Sequence, residues 1–176
     1  MKNVSKDANM LQHAYIVAQN SHCVSWKVGA IITKAGRIIS TGYNGTPAGC
    51  SHVNCDDHAK KSGWLDSHGN LRGMYRQAHS EWSKANEIHA ELNAILYAAK
   101  TGQSIDGAEM HVTVSPCPDC AKAIAQSGIK RVVYNELYDR NGEGWDDILI
   151  KSGIEVVKNS EPLNIIKKIY TTSNQN

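Results

Sequence analysis

His89-Ala90-Glu91 and Pro116-Cys117-Pro118-Asp119-Cys120 together carry the residue types of a hydrolytic metal centre. Zinc takes imidazole nitrogen and thiolate sulfur tetrahedrally, and a catalytic zinc keeps three protein ligands and leaves its fourth position to water. His89, Cys117 and Cys120 make such a three-ligand set. Bound zinc lowers the pKa of its water towards about 7, and Glu91, two residues from the histidine, is a carboxylate free to carry the released proton. A lone C-x-x-C is ambiguous between redox, structural zinc and catalytic zinc, and a lone H-x-E is commonplace. Their conjunction, with Pro116 and Pro118 flanking Cys117, is far more specific. The competing reading is a structural zinc knuckle, or a core histidine with an unrelated thiol pair. A structural site usually has four protein ligands, whereas this set supplies three and a carboxylate.

These residues need particular elements to position them. Cys117 and Cys120 are i, i+3 at a helix start, so both sulfurs lie on one face, and the positive helix N-terminus favours the thiolates that zinc requires. Pro118 suits the first turn, where a missing N–H costs nothing. His89 and Glu91 are i, i+2 and do not face each other on a regular helix, so they converge only if His89 lies at the helix start.

Around them the pattern alternates. Leu11, Ala14, Tyr15 and Ala18 predict a first helix. Val28–Thr33 and Arg37–Thr41, about Lys34-Ala35-Gly36, predict a hairpin. A helix is expected from about Asn86 to Lys100 with Ile88, Leu92, Ile95 and Leu96 on its buried side. A strand at Met110–Val114, a helix from Cys117, a strand at Arg131–Tyr134, a helix around Trp145–Ile150 and a strand at Ile154–Val157 follow, and the tail from Asn159 reads as a short helix with a frayed end. Strands alternating with helices imply an α/β layer architecture, and the opening hairpin makes the sheet mixed. Residues 42–84 hold four of the eight histidines and two of the five cysteines. They read as a long insertion without regular structure, a kind of segment usually kept for function.

A length of 176 residues suits one domain with one core, 1–176. The net charge of +2, from 19 basic and 17 acidic residues, gives no bias towards a polyanion. No apolar run reaches transmembrane length and the N-terminus has no signal-peptide pattern, so no membrane is expected and the setting reads as cytoplasmic. The odd count of five cysteines suits metal in a reducing compartment better than a disulfide framework.

The H-x-E and P-C-x-x-C pair resembles the signature of zinc-dependent nucleobase deaminases. Cys23–Ala30, Thr41–Gly49, Asn86–Ile95, Ser115–Ile124 and Asp139–Asp147 are similar to the deoxycytidylate branch of the cytidine and deoxycytidylate deaminase family, in its tailed-bacteriophage form. The match spans roughly residues 8–158 and is weakest over 56–76. The resemblance implies a three-layer cytidine-deaminase-like fold, conversion of dCMP to dUMP with Glu91 as the acid–base, and a homohexamer activated by dCTP and inhibited by dTTP. It also implies a second zinc, held by Cys23, Cys55, His79 and Glu87, that would tether the 42–84 insertion; His52 and His58 are alternative ligands near Cys55. Glu87 and Glu91 are i, i+4, so serving separate ions requires the helix to begin after Glu87. Asn44 becomes a candidate for the nucleoside sugar, although Asn-Gly is also a strong turn signal. Lys27 and Tyr138, and more weakly Arg140, become candidates for the phosphate, against an ordinary reading as surface residues. Cys50 has no assigned role. A nucleic-acid deaminase would want a basic groove and stacking aromatics, whereas phenylalanine is absent here. A non-catalytic zinc module would leave Glu91 without purpose.

Overall fold

The computed structural model describes residues 4–49 and 53–163. Cys50, His52 and most of the expected tail helix lie outside the described residues. The chain opens with helix α1 (Lys6–Ala18), whose N-cap Ser5 accepts a hydrogen bond from the Ala8 N–H. Strands β1 (Gly29–Lys34) and β2 (Arg37–Tyr43) form the expected hairpin. Its two-residue turn puts Ala35 at φ 50° and Gly36 at φ 74°, the pair of positive values that suits the right-handed strand twist.

Helices α2 (Cys55–Lys61) and α3 (Arg76–Asn86), with one 3-10 turn at Gly73–Tyr75, lie in the span read from sequence as irregular. Aromatic rings bring these elements together. The His58 ring stacks on Trp82 at 4.8 Å and meets Trp64 edge-on at 4.8 Å, and Trp64 in turn stacks on Tyr75 at 6.3 Å. His58, an alternative ligand by sequence, is thus committed to this stack.

Helix α4 (Ala90–Lys100) follows, then β3 (Glu109–Val114), α5 (Pro118–Gln126), β4 (Arg131–Glu136), α6 (Asp147–Lys151) and β5 (Glu155–Lys158). The sheet order is β2-β1-β3-β4-β5, with β1 antiparallel to both neighbours and β3, β4 and β5 parallel. The mixed sheet is therefore as expected. Alternation along the strands assigns side chains to its two faces. Ala30, Ile32, Met110, Val112, Val132 and Tyr134 join a core with α4, α5 and α6. Val133 packs on the other face with Ala8 and Leu11 of α1. The result is three layers: α1, the sheet, and α4–α6.

Two expectations for α4 fail. The helix starts at Ala90, not near Asn86, because residues 76–86 complete α3 and Glu87 turns to an extended conformation (φ −106°, ψ 142°). Its buried stripe is Ala90, Glu91, Ala94 and Ala98, whereas Leu96 and Tyr97 are about half exposed. The reason is the closeness of α4 to β2. A Cβ on Gly42 would sit 2.3 Å from the Ala90 carbonyl oxygen and 2.4 Å from the Ala94 nitrogen. Only small residues fit a helix that approaches a strand backbone so closely.

Candidate active site and a second metal-ligating cluster

Given the antiparallel pairing of β1 with β2 and β3, one edge of the sheet collects the start of β1 and the ends of β2, β3 and β4. In open α/β sheets ligands bind beyond the carboxyl ends of the parallel strands, and the chemistry-bearing residues gather there. His89 is the N-cap of α4 (φ −69°, ψ 154°) and Cys117 the N-cap of α5 (φ −72°, ψ 165°), with Pro118 in the first turn. Both caps make no side-chain hydrogen bond to their own helix, so both side chains are free for other work. They sit at the positive ends of two helix dipoles.

His89 Nδ1 lies 3.4 Å from Cys117 Sγ and 3.4 Å from Cys120 Sγ. Tetrahedral zinc with ordinary bond lengths separates a nitrogen and a sulfur ligand by about 3.6 Å, so the donor set fits the ion without rearrangement. The paired thiols divide one proton: contact with Cys120 and His89 holds Cys117 down at about 4, and the neighbouring Cys117 pushes Cys120 up. Contact with Cys117 also raises His89 to about 9. Glu91 lies in the first turn of α4, 4% exposed, and burial lifts its carboxyl to about 6. A buried carboxyl against a three-ligand cluster is the arrangement of a water-activating site.

A second cluster forms from α2, α3 and the chain before β1. Cys55 Sγ is 3.2 Å and Cys23 Sγ 3.6 Å from His79 Nε2, and Glu87 completes a four-residue group whose donor atoms all lie within 4.8 Å of one another. Glu87 Oε2 accepts a hydrogen bond from the Ser83 hydroxyl at 2.6 Å, but its Oε1 is buried with no partner. Burial first, and then the charge of Cys23, push this carboxyl up to about 7. An orphaned carboxylate oxygen beside two thiols and an imidazole is costly without a cation. With one, four protein ligands make the closed set of a structural zinc.

A third acidic–histidine group, Asp7, Glu109 and His111, behaves differently. The Arg131 guanidinium reaches Asp7 at 2.7 and 2.8 Å and Glu109 at 3.4 Å, and Lys6 adds a further contact to Glu109. The place of a metal is filled by side-chain cations.

The structure distributes the expected nucleotide contacts as follows. Asn44 is buried and its amide bridges backbone: Oδ1 accepts from Val28 N and Nδ2 donates to the Trp26 carbonyl, both at 2.8 Å. It holds the 26–28 strand entry in the manner of a turn residue. Lys27, in that segment, is exposed on the rim of a shallow cleft shared with His22, Cys23 and Asp56, beside the second cluster. Tyr138 is half-buried next to the cysteine loop, its N–H donating to Ser115 Oγ at 2.8 Å. Arg140 donates to Ser80 on α3 at 3.0 Å.

Two residues went unassigned in the sequence reading. Asn141 Nδ2 donates to Ser115 Oγ and to the Pro116 carbonyl, both at 2.9 Å. Ser115 and Asn141 thereby clamp the loop of Tyr138 onto the loop of Cys117. Their separation of 26 residues leaves no local signal.

Comparison with known proteins agrees with this geometry. Residues 4–136 match the family profile described as the cytidine and deoxycytidylate deaminase zinc-binding region. The deoxycytidylate deaminase of Enterobacteria phage T4 is 56% identical, covering 90% of this chain and 94% of the relative. That of phage T2 is 58% identical, covering 86% and 90%. The crystal structure of the dCMP deaminase of cyanophage S-TIM5 in complex with dCMP and dUMP is 38% identical, covers 90% of this chain and 99% of that one, and superposes with a TM-score of 0.66. A sheet of this order, His89 and Cys117 capping adjacent helices, and these likenesses lead to one conclusion: the chain belongs to the cytidine and deoxycytidylate deaminase family.

Proposed function

We propose that the chain hydrolyses dCMP to dUMP and ammonia at the His89–Cys117–Cys120 site, with Glu91 as its acid–base. The single observation that carries this is the buried Glu91 carboxyl facing a three-ligand cluster at the ends of two helices. The phage relatives, matched over 86–90% of this chain, support the choice of substrate. Zinc held by the three ligands would polarise the attacking water. Glu91 takes a proton from that water as its oxygen bonds to the amine-bearing carbon of cytosine, and passes it to the ring nitrogen. It then takes the remaining proton from the new hydroxyl and delivers it to the departing amine as the C–N bond breaks and the carbonyl forms, so water and cytosine become uracil and ammonia with no net proton change at the carboxyl. Burial keeps bulk solvent from competing for that proton.

In the same reading Lys27 and Tyr138 serve the phosphate, and Arg140 is a weaker candidate of the same kind. Asn44 serves the sugar with the second lone pair of Oδ1 or the second N–H of Nδ2, while its two backbone bonds stay in place. The second cluster, Cys23, Cys55, His79 and Glu87, holds a structural zinc that fastens α2 and α3, the helices within the 42–84 insertion of a single 1–176 domain. The half-exposed Leu96 and Tyr97 of α4 support burial against another copy, in keeping with a homohexamer. Activation by dCTP and inhibition by dTTP follow if each triphosphate binds one state of that assembly better than the other. Among the described residues no helix is long and apolar enough to cross a membrane.

Ammonia release measured with dCMP, CMP, dCTP, deoxycytidine and adenosine tests the assignment. dCMP should turn over fastest, and Glu91→Gln should keep its zinc and fold while losing at least about 10²–10⁴-fold in rate. Turnover of that variant near wild type, or preference for adenosine, would overturn the mechanism or the substrate respectively.

A further inference from the structure

The two clusters hang on one short stretch of chain. Glu87 is the C-cap of α3 and His89 the N-cap of α4, and the residue between them is pinned. Ile88 N donates to the Gly45 carbonyl at 2.8 Å, and Gly45 N donates back to the Ile88 carbonyl at 3.1 Å. In an extended segment i and i+2 point to the same side, and two residues span only about 7 Å. Glu87 and His89 are therefore same-side neighbours, one serving each cluster.

The anchors on either side differ in strength. Helix α3 is tied to the second cluster twice, through His79 and through Glu87. The His89 side chain makes no capping bond, and its hydrogen-bond contacts are the two thiols of the first cluster. Without a cation the Glu87 carboxylate is buried beside thiols with one oxygen unpaired. A cation in the second site would hold Glu87 through that oxygen, and the short linker, fixed at Ile88 by its two bonds to Gly45, carries that hold to His89 where it meets Cys117 and Cys120.

Resting on the two-zinc reading above, we propose that the sites are thermodynamically coupled through Glu87-Ile88-His89: filling the Cys23–Cys55–His79–Glu87 site raises the zinc affinity of the His89–Cys117–Cys120 site. Glu87 is thus a positioning residue for the catalytic ligand. Coupling between two binding equilibria is reciprocal, so filling the catalytic site must tighten the second site by the same factor.

The test uses the full chain, stripped of metal and titrated with zinc against a chromophoric chelator. Cobalt titration alongside distinguishes the sites by their visible spectra, since a three-ligand open site and a four-ligand closed site differ in band position. In Glu87→Gln, which keeps the side-chain shape and three of the four second-site ligands, the catalytic site should bind zinc at least about tenfold more weakly, and its cobalt bands should shift. In Cys117→Ser the second site should weaken by a closely similar factor. Melting curves and circular dichroism accompany each variant, and the Cys117→Ser arm decides the matter if Glu87→Gln does not fold. Two zinc ions bound with catalytic-site affinity unchanged within twofold would overturn the coupling and leave the two-zinc reading intact. A single equivalent in folded, active wild type would overturn that reading itself, and the coupling with it.

Discussion

Replacing Gly42 by alanine sets two physical effects of opposite sign against each other. Gly42 lies within β2 and outside the left-handed region, where alanine is allowed and restricts the unfolded chain, a change worth about 0.4–1 kcal/mol of added stability. The tertiary contact works the other way. The new Cβ would stand 2.3 Å from Ala90 O and 2.4 Å from Ala94 N, where ordinary contact begins at 3.4 Å. The neighbour on both counts is helix backbone, which cannot swing aside, so α4 must back off by about 1 Å. Ser40 Oγ, bonded to the Ala94 carbonyl at 2.6 Å, resists that movement. Overpacking of this kind costs about 1–3 kcal/mol, which exceeds the entropic gain. The net loss of roughly 1–2 kcal/mol should lower the melting temperature by about 2–8 °C in a chain of this length. The catalytic consequence is larger, because His89 caps α4 and Glu91 sits in its first turn. A displacement of about 1 Å in a reacting group can cost on the order of 100-fold in kcat. The control is Gly45→Ala, whose Cβ would find its nearest neighbour, the flexible Tyr43 ring, at 3.8 Å. It should stay within about 0.5 kcal/mol of wild type. Calorimetry and dCMP kinetics on both variants decide the matter: a Gly42→Ala protein as stable and as fast as wild type would refute the close-packing argument.

Further outcomes follow from other parts of the molecule. Cys55→Ser should remove the second ion and expose the segment 53–86 to proteolysis and hydrogen exchange, lowering stability by at least about 3 kcal/mol, roughly 6–12 °C; unchanged protection there would mean that the aromatic stack of His58, Trp64 and Trp82 suffices. Asp7 is held at about 2, against an ordinary 3.8, chiefly by its bond to Arg131. A depressed carboxyl stabilises the fold above its unfolded value and loses that contribution as pH falls from about 4 to 2, so Asp7→Asn should cost on the order of 2 kcal/mol at pH 7 and progressively less towards pH 2. A stability difference between the two proteins that is independent of pH would contradict that assignment. Under the regulatory reading, dCTP should sharpen the dCMP saturation curve and dTTP oppose it; hyperbolic kinetics indifferent to both, or a monomer by light scattering, would remove the regulation and leave the chemistry standing.

Much of the His89–Cys117–Cys120 cluster was legible in the chain because its information is local. The i, i+3 cysteines behind Pro116 require a helix start. The i, i+2 spacing of His89 and Glu91 could serve one site only if His89 lay outside the regular helix, where it is found as the N-cap. Glu87 likewise had to precede that helix, and it does. Periodicity also located the hairpin, the parallel strands and α1, since each depends on side chains a few residues apart.

Where the reading failed, the deciding contact was distant in sequence. Leucine and isoleucine spacing suggested the buried face of α4, but the approach of β2 at Gly42 turned Ala90, Ala94 and Ala98 inward and left Leu96 out. Residues 42–84 looked irregular because α2, α3 and the turn before α3 meet through ring contacts and through the Cys55–His79 cluster, not through an amphipathic repeat. Asn44 spends its amide on backbone 16 and 18 residues away, and Ser115 meets Asn141 across 26. By itself, then, the sequence determined the donor chemistry of the site and the helix and strand types that present it, because both are written in neighbouring residues. Only the tertiary structure decided which helix face is buried, what the insertion folds into, and that Glu87 and His89 place two clusters on one pinned segment. Those outcomes depend on how closely backbones approach and on which groups meet across long loops, and no local pattern records either.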